Sequence, residues 1–109
     1  MIELGEKYVF HIPMYRYVDD ELVPIELDEL LDDLLLKLAN GGFDSLYMTK
    51  AKSYYKSRCF DELLLTIFAS SSSPVDIFKK WFRASNDVMS QEAFAWECGN
   101  SLFIESLDD

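Results

Sequence analysis

The sequence predicts an α+β domain with helices on one face of an antiparallel sheet. Three observations carry this expectation. Residues 7–18 alternate apolar and polar at period two, with β-branched and aromatic side chains. Residues 26–40 switch to a helical period, with leucines at 27, 30, 31, 34, 35 and 38. Strand and helix patterns then follow one another to the end of the chain, and no internal repeat is visible.

At 109 residues the chain fits a single domain spanning residues 1–109. A chain this long buries about two-thirds of its unfolded surface, enough for one core. Its hydrophobic share of 50% and aromatic share of 15% exclude a wholly disordered chain.

Each element has a local reason. In the first strand Tyr8, Phe10, Ile12 and Met14 share one face, and His11 falls on the other with Lys7 and Val9. Pro13 donates no ladder hydrogen bond, which predicts an edge strand or a bulge there. Asp19-Asp20-Glu21 reads as the solvated turn that ends the strand. The 26–40 helix opens with acids, which its dipole favours. It stops at Asn40-Gly41-Gly42, where a positive φ is easily adopted.

Residues 44–58 read as a long strand with Lys50, Lys52, Tyr54, Lys56 and Arg58 on one face. Residues 60–69 read as a second strand because Thr66-Ile67-Phe68 favours β structure, and a turn is placed near Ser57-Arg58-Cys59. Ser70–Ser73 is a loop. Ser73-Pro74-Val75-Asp76 predicts a helix start with a capping-box-like spacing, continuing to about Ser85. Val75, Phe78, Trp81 and Phe82 form its buried stripe. Residues 91–98 alternate once more, Gly99-Asn100 supplies a hairpin turn, and 101–107 returns as a strand. Asp108-Asp109 is expected to fray.

The order strand, helix, strand, strand, helix, strand is that of a ferredoxin-like βαββαβ sandwich, here with an additional C-terminal strand. That order, with Tyr55…Phe60-Asp61-Glu62-Leu63 before the second helix and Ser90-Gln91-Glu92-Ala93-Phe94 after it, resembles small uncharacterised prokaryotic proteins of ferredoxin-like type. The resemblance covers residues 44–105. It implies no settled activity and carries no functional residues with it.

The charges are sorted along the chain. Residues 1–49 carry eleven acids against three bases, residues 50–83 seven bases against three acids, and residues 84–109 six acids and no base. The net charge of −10 disfavours nucleic-acid binding by the whole surface. No apolar run approaches the roughly 20 residues that span a bilayer, and the acidic N-terminal residues are unlike a signal peptide. A cytoplasmic protein is expected, with no membrane partner. Cys59 and Cys98 lie in apolar patterns and read as reduced, buried thiols, although Arg58 beside Cys59 also suits a reactive thiol. Cys/His zinc spacing, Gly-rich phosphate loops, G-x-S-x-G, H-E-x-x-H and EF-hand loops are absent, so no metal and no cofactor is expected.

Two constellations remain. Glu62, Glu92 and Glu97 are carboxylates inside apolar strand patterns, and Glu62 approaches Glu92 or Glu97 if their strands are neighbours. With His11 they are the candidate catalytic residues, because paired carboxylates do acid–base work when one is held protonated. The same residues placed on the solvent face would be merely structural. Lys50, Lys52, Tyr54, Lys56 and Arg58 are the candidate binding surface, suited first to solvent, then to a protein, and least to nucleic acid.

The leading expectation is a small non-catalytic binding module, a homodimer or a partner of another protein. A second is a small dimeric enzyme with a carboxylate-lined cleft between sheet and partner. A third is an acidic inhibitor that mimics nucleic acid.

Overall fold

The computed structural model describes residues 1–107, so the expected fraying of Asp108-Asp109 lies outside the described residues. Its elements are β1 (Glu6–Pro13), β2 (Tyr15–Val18), β3 (Glu21–Pro24), α1 (Asp28–Asn40), β4 (Leu46–Tyr55), β5 (Arg58–Ala69), α2 (Val75–Met89), β6 (Ala93–Cys98) and β7 (Ser101–Ser106). Five strands form one antiparallel sheet in the order β4-β5-β1-β6-β7, and β2 and β3 form a separate hairpin. The fold is α+β, as the alternating periods predicted.

The β1 alternation places Tyr8, Phe10 and Ile12 in the core. They meet Leu65 and Ile67 of β5, Phe94 and Trp96 of β6, and the inner stripes of both helices. Aromatic rings dominate this core. Phe78 of α2 stacks on Phe10 with centroids 4.2 Å apart, and meets Phe82 and Phe94 edge-on. Trp81 donates from Nε1 to the Leu30 carbonyl at 2.8 Å, which fastens α2 to α1 and satisfies the one polar atom of a buried ring. Helix α1 ends as expected, with Gly42 at φ +89°. Gly41 is held for a second reason, since a Cβ there would lie 2.8 Å from Ile77 Cδ1.

Several expectations are corrected. Strand β1 lies at the centre of the sheet, not at an edge. Pro13 is tolerated because it is the last residue of β1, beyond Phe10, where pairing with β6 ends. Asp19-Asp20-Glu21 does not simply end a strand. Asp19 and Asp20 take positive φ values of 51° and 65°, forming the tight turn that pairs β2 with β3. Lys56 and Ser57 do the same at 50° and 64°, so the β4–β5 turn falls before Arg58. Helix α2 runs to Met89, past Ser85, and Ser90 ends it in the left-handed region. At its start the Ser73 hydroxyl accepts from the Val75 N–H at 3.2 Å, but no capping box forms. Cys59 is exposed rather than buried, because strand alternation at the hairpin tip places it beyond the helices; both cysteines are free.

Candidate functional site

The side of the sheet away from the helices carries the residues that alternate with those of the core. On β1 these are Lys7, Val9 and His11; on β5, Phe60, Glu62 and Leu64; on β6, Ala95 and Glu97; on β4, Ala51 and Ser53. The register places Glu62 opposite Pro13 and Ala51, and Glu97 opposite Val9. His11 is therefore the diagonal neighbour of both Glu62 and Glu97, and Ser53 the diagonal neighbour of Glu62. Diagonal pairs lie within reach of long side chains.

All three diagonals are made. His11 Nδ1 lies 3.0 Å from Glu62 Oε2, and His11 Nε2 lies 2.6 Å from Glu97 Oε2. The Ser53 hydroxyl donates to the same Glu62 oxygen. A continuous side-chain chain, Ser53–Glu62–His11–Glu97, thus crosses four strands. His11 and Glu62 are mostly shielded, with side-chain exposures of 18% and 19%, while Glu97 is 41% exposed.

The charge state follows from geometry. A neutral imidazole has one N–H, yet each ring nitrogen here faces a carboxylate oxygen. With both carboxylates ionised, only the imidazolium donates to both. Burial disfavours the charged ring, but the hydrogen bonds from Glu62 and Glu97 and their negative charge outweigh it, and the His11 pKa is raised above 6.5. Burial likewise works to raise the Glu62 pKa. Its hydrogen bonds from His11 and Ser53 and the imidazolium charge prevail, holding it below 4.5. The cluster is an imidazolium between two carboxylates. Because both ring nitrogens are engaged, His11 has no lone pair for a metal, and no metal-binding group of His, Cys, Asp and Glu occurs among the described residues.

Of the four candidate catalytic residues, the structure brings three together. Glu62 reaches Glu97 only through His11, since β1 lies between β5 and β6. Glu92 precedes β6 and stands apart from the cluster. It lines, with Glu62, a groove of about 1140 Å³ at one end of the sheet. Ser53 was missed, because a serine on the presumed polar side of a basic strand gave no signal without the strand order.

The candidate binding stripe does not survive as one face. Lys50, Lys52 and Tyr54 share the helix-facing side of β4, beyond the cover of the helices. Lys56 is in the turn, and Arg58 opens β5 opposite Tyr55, on the other side. The turn at Lys56-Ser57 breaks the expected alternation. Lys52 pairs with Asp61 at 3.0 Å, and Arg58 lies over the Tyr17 ring at 6.0 Å.

No protein-family model matches the chain, and no curated protein matches it in sequence. Two solved structures do match in fold. One is a phage SAM lyase in complex with S-methyl-5'-thioadenosine, at a TM-score of 0.65 and 11% identity, over 99% of this chain and 96% of that one. The other is a phage SAM lyase in the apo state, at a TM-score of 0.59 and 13% identity, over 100% of this chain and 97% of that one. At such identities the likeness is one of fold. No helix among the described residues is long and apolar enough to cross a membrane.

Proposed function

We propose that this protein is a small lyase acting on a sulfonium nucleoside, S-adenosylmethionine, with Glu62, His11 and Glu97 at its reaction centre. The observation that carries the reading is the hydrogen-bonded Glu62–His11–Glu97 chain on the uncovered side of the sheet. Its likeness in fold to phage SAM lyase, over nearly the full length of both chains, supports the choice of substrate.

The cluster has a net charge of −1, and its exposed carboxylate oxygens suit a cationic ligand. In the reaction the C–S bond to the four-carbon amino-acid portion breaks, and its electron pair passes to sulfur. The substrate's own carboxylate closes on the carbon that sulfur leaves, giving S-methyl-5'-thioadenosine and a lactone. No proton is gained or lost, so the protein needs no free base. A locked ion-pair chain would hold the sulfonium so that the C–S bond lies in line with the substrate's own carboxylate. His11 acts as a positioning residue, holding the two carboxylates by one ring.

We further propose that a second copy covers this side of the sheet and closes the cleft. Tyr47, Leu102 and Ile104 are 49%, 57% and 56% exposed there, an apolar surround suited to an interface. We also propose that the topology is ferredoxin-like. Without the β2–β3 hairpin and β7, the strands of the βαββαβ unit lie in the order β4-β5-β1-β6.

The test is incubation of purified protein with S-adenosylmethionine and chromatographic detection of S-methyl-5'-thioadenosine. Product above the spontaneous background is expected, with Glu62→Gln slower by about 10²-fold, the order lost when reacting groups are misplaced. Background-level product from the folded wild type would refute the reading.

A further inference from the structure

We infer that the groove at the end of β1 is a nucleoside-binding site, a conclusion that rests on the lyase reading for its substrate and on separate residues for its evidence. Strand β1 ends at Pro13 while its neighbour β5 continues past it to Arg58. The sheet consequently has a notch between the outer part of β5 and the start of β6. The β2–β3 hairpin stands beside this notch. Gln91 holds it there, donating from Nε2 to the Tyr15 carbonyl at 3.2 Å, and Arg16 donates to the Val88 carbonyl at 3.0 Å.

The notch has the shape and chemistry for a nucleoside. Its volume of about 1140 Å³ exceeds the roughly 300–1,000 Å³ of small-ligand sites, so it is an open groove that a nucleoside fills only in part. Tyr17 and Tyr55, 50% and 55% exposed, and Phe60 line it; Lys56 lies over the Tyr55 ring and Arg58 over the Tyr17 ring, and a purine would stack on the face each cation leaves open. Arg16, Lys52, Lys56 and Arg58 line it together with an equal number of acids, so its charges balance and do not select an anionic ligand. Glu92 offers carboxylate oxygens that accept from a ribose diol. Glu62 lines the same groove and is the first carboxylate of the Glu62–His11–Glu97 chain. A nucleoside stacked in the notch therefore carries its 5' substituent toward Glu62. The ligand class is an adenine nucleoside with a thioether or sulfonium at its 5' position. The groove thus connects Glu92 to the reaction centre, which the cluster alone leaves unexplained.

The experiment uses the full chain and S-methyl-5'-thioadenosine, titrated calorimetrically into wild type, Tyr17→Ala, Phe60→Ala and Glu62→Gln, each checked by circular dichroism for folding. Saturable binding to wild type is expected, weakened about 10-fold or more by either aromatic replacement, as for the loss of one base–aromatic stack. Glu62→Gln, at the reaction centre, is expected to lose turnover of S-adenosylmethionine. Folded Tyr17→Ala and Phe60→Ala proteins that bind like wild type would overturn the notch, whatever the turnover. So would absence of binding to wild type. Binding in the notch without turnover by wild type would overturn the lyase reading and leave the nucleoside site standing.

Discussion

The two sides of the central sheet are built from alternate residues of the same strands, yet they do opposite things. The helix side of β1, β5 and β6 is closed by Phe10, Ile12, Leu65, Ile67, Phe94 and Trp96; among the described residues the buried polar ones are Ser85 of α2 and Thr66, which faces the other side beside Val9. The other side places a histidine between two glutamates and leaves apolar residues uncovered. The difference shows how a small domain separates stability from chemistry. Packing on one side makes the backbone rigid, and that rigidity sets the spacing of charged groups on the other.

The comparison breaks most visibly on the packed side. Phe78 is fully buried and in ring contact with Phe10, Trp81, Phe82 and Phe94. Phe78→Ala should cost about 3–5 kcal/mol, read by urea denaturation, with turnover per folded molecule little changed. On the open side the order reverses. If the protein is the proposed lyase, Glu97→Gln should lower turnover of S-adenosylmethionine by about 10²-fold with a change in stability of only about 1–2 kcal/mol. Equal loss of stability in both variants would remove the division of labour.

The pH dependence sharpens the contrast. His11, held above its ordinary 6.5, contributes stability that is complete below that value and is lost as pH rises through its folded-state pKa. Glu62, held below its ordinary 4.5, contributes stability that is present above that value and is lost as pH falls through its folded-state pKa. The stability gap between wild type and His11→Gln should thus be widest between 4.5 and 6.5, at about 1–3 kcal/mol, and narrow on either side. Denaturation curves at three pH values decide this, and a flat gap would mean that His11 is not charged. On the packed side, Trp81→Phe should cost about 1 kcal/mol from the lost bond to Leu30 and show no such pH profile. The smallest effect belongs to the exposed Asp33–Lys37 pair on α1, where Lys37→Ala should change stability by only about 0.3–0.5 kcal/mol, a difference to be read by thermal melts.

Much of this division was legible in the sequence. Period two placed Tyr8, Phe10 and Ile12 on one side and His11 on the other, and the leucine stripe defined α1. His11, Glu62 and Glu97 were each recognisable as candidates from their strand positions. What the sequence withheld was strand order. Hydrophobic alternation says which side a residue faces and nothing about which strand lies next to it. Only the insertion of β1 between β5 and β6 turns three separate residues into one hydrogen-bonded chain. The β2–β3 hairpin was hidden, and the expected β4–β5 turn displaced, for a different reason. Asp19-Asp20 and Lys56-Ser57 occupy left-handed turn positions without glycine, so the usual turn residues are missing. The misplaced second turn carried Arg58 to the wrong side, and with it the expected basic stripe.

The position of β1 has a consequence for how the molecule is assembled. The β4–β5 hairpin closes through a two-residue turn, and contacts of that kind form within microseconds. The bonds of His11 instead join residues 51 and 86 positions apart in the chain. Such distant pairings are the slow ones, since the chain must give up its freedom before they form. Strand β1 is the piece that joins the β4–β5 hairpin to the β6–β7 hairpin, and His11 rides on it. The charged chain across the sheet therefore exists only once both halves have met, and a partly folded molecule holds His11 apart from both glutamates.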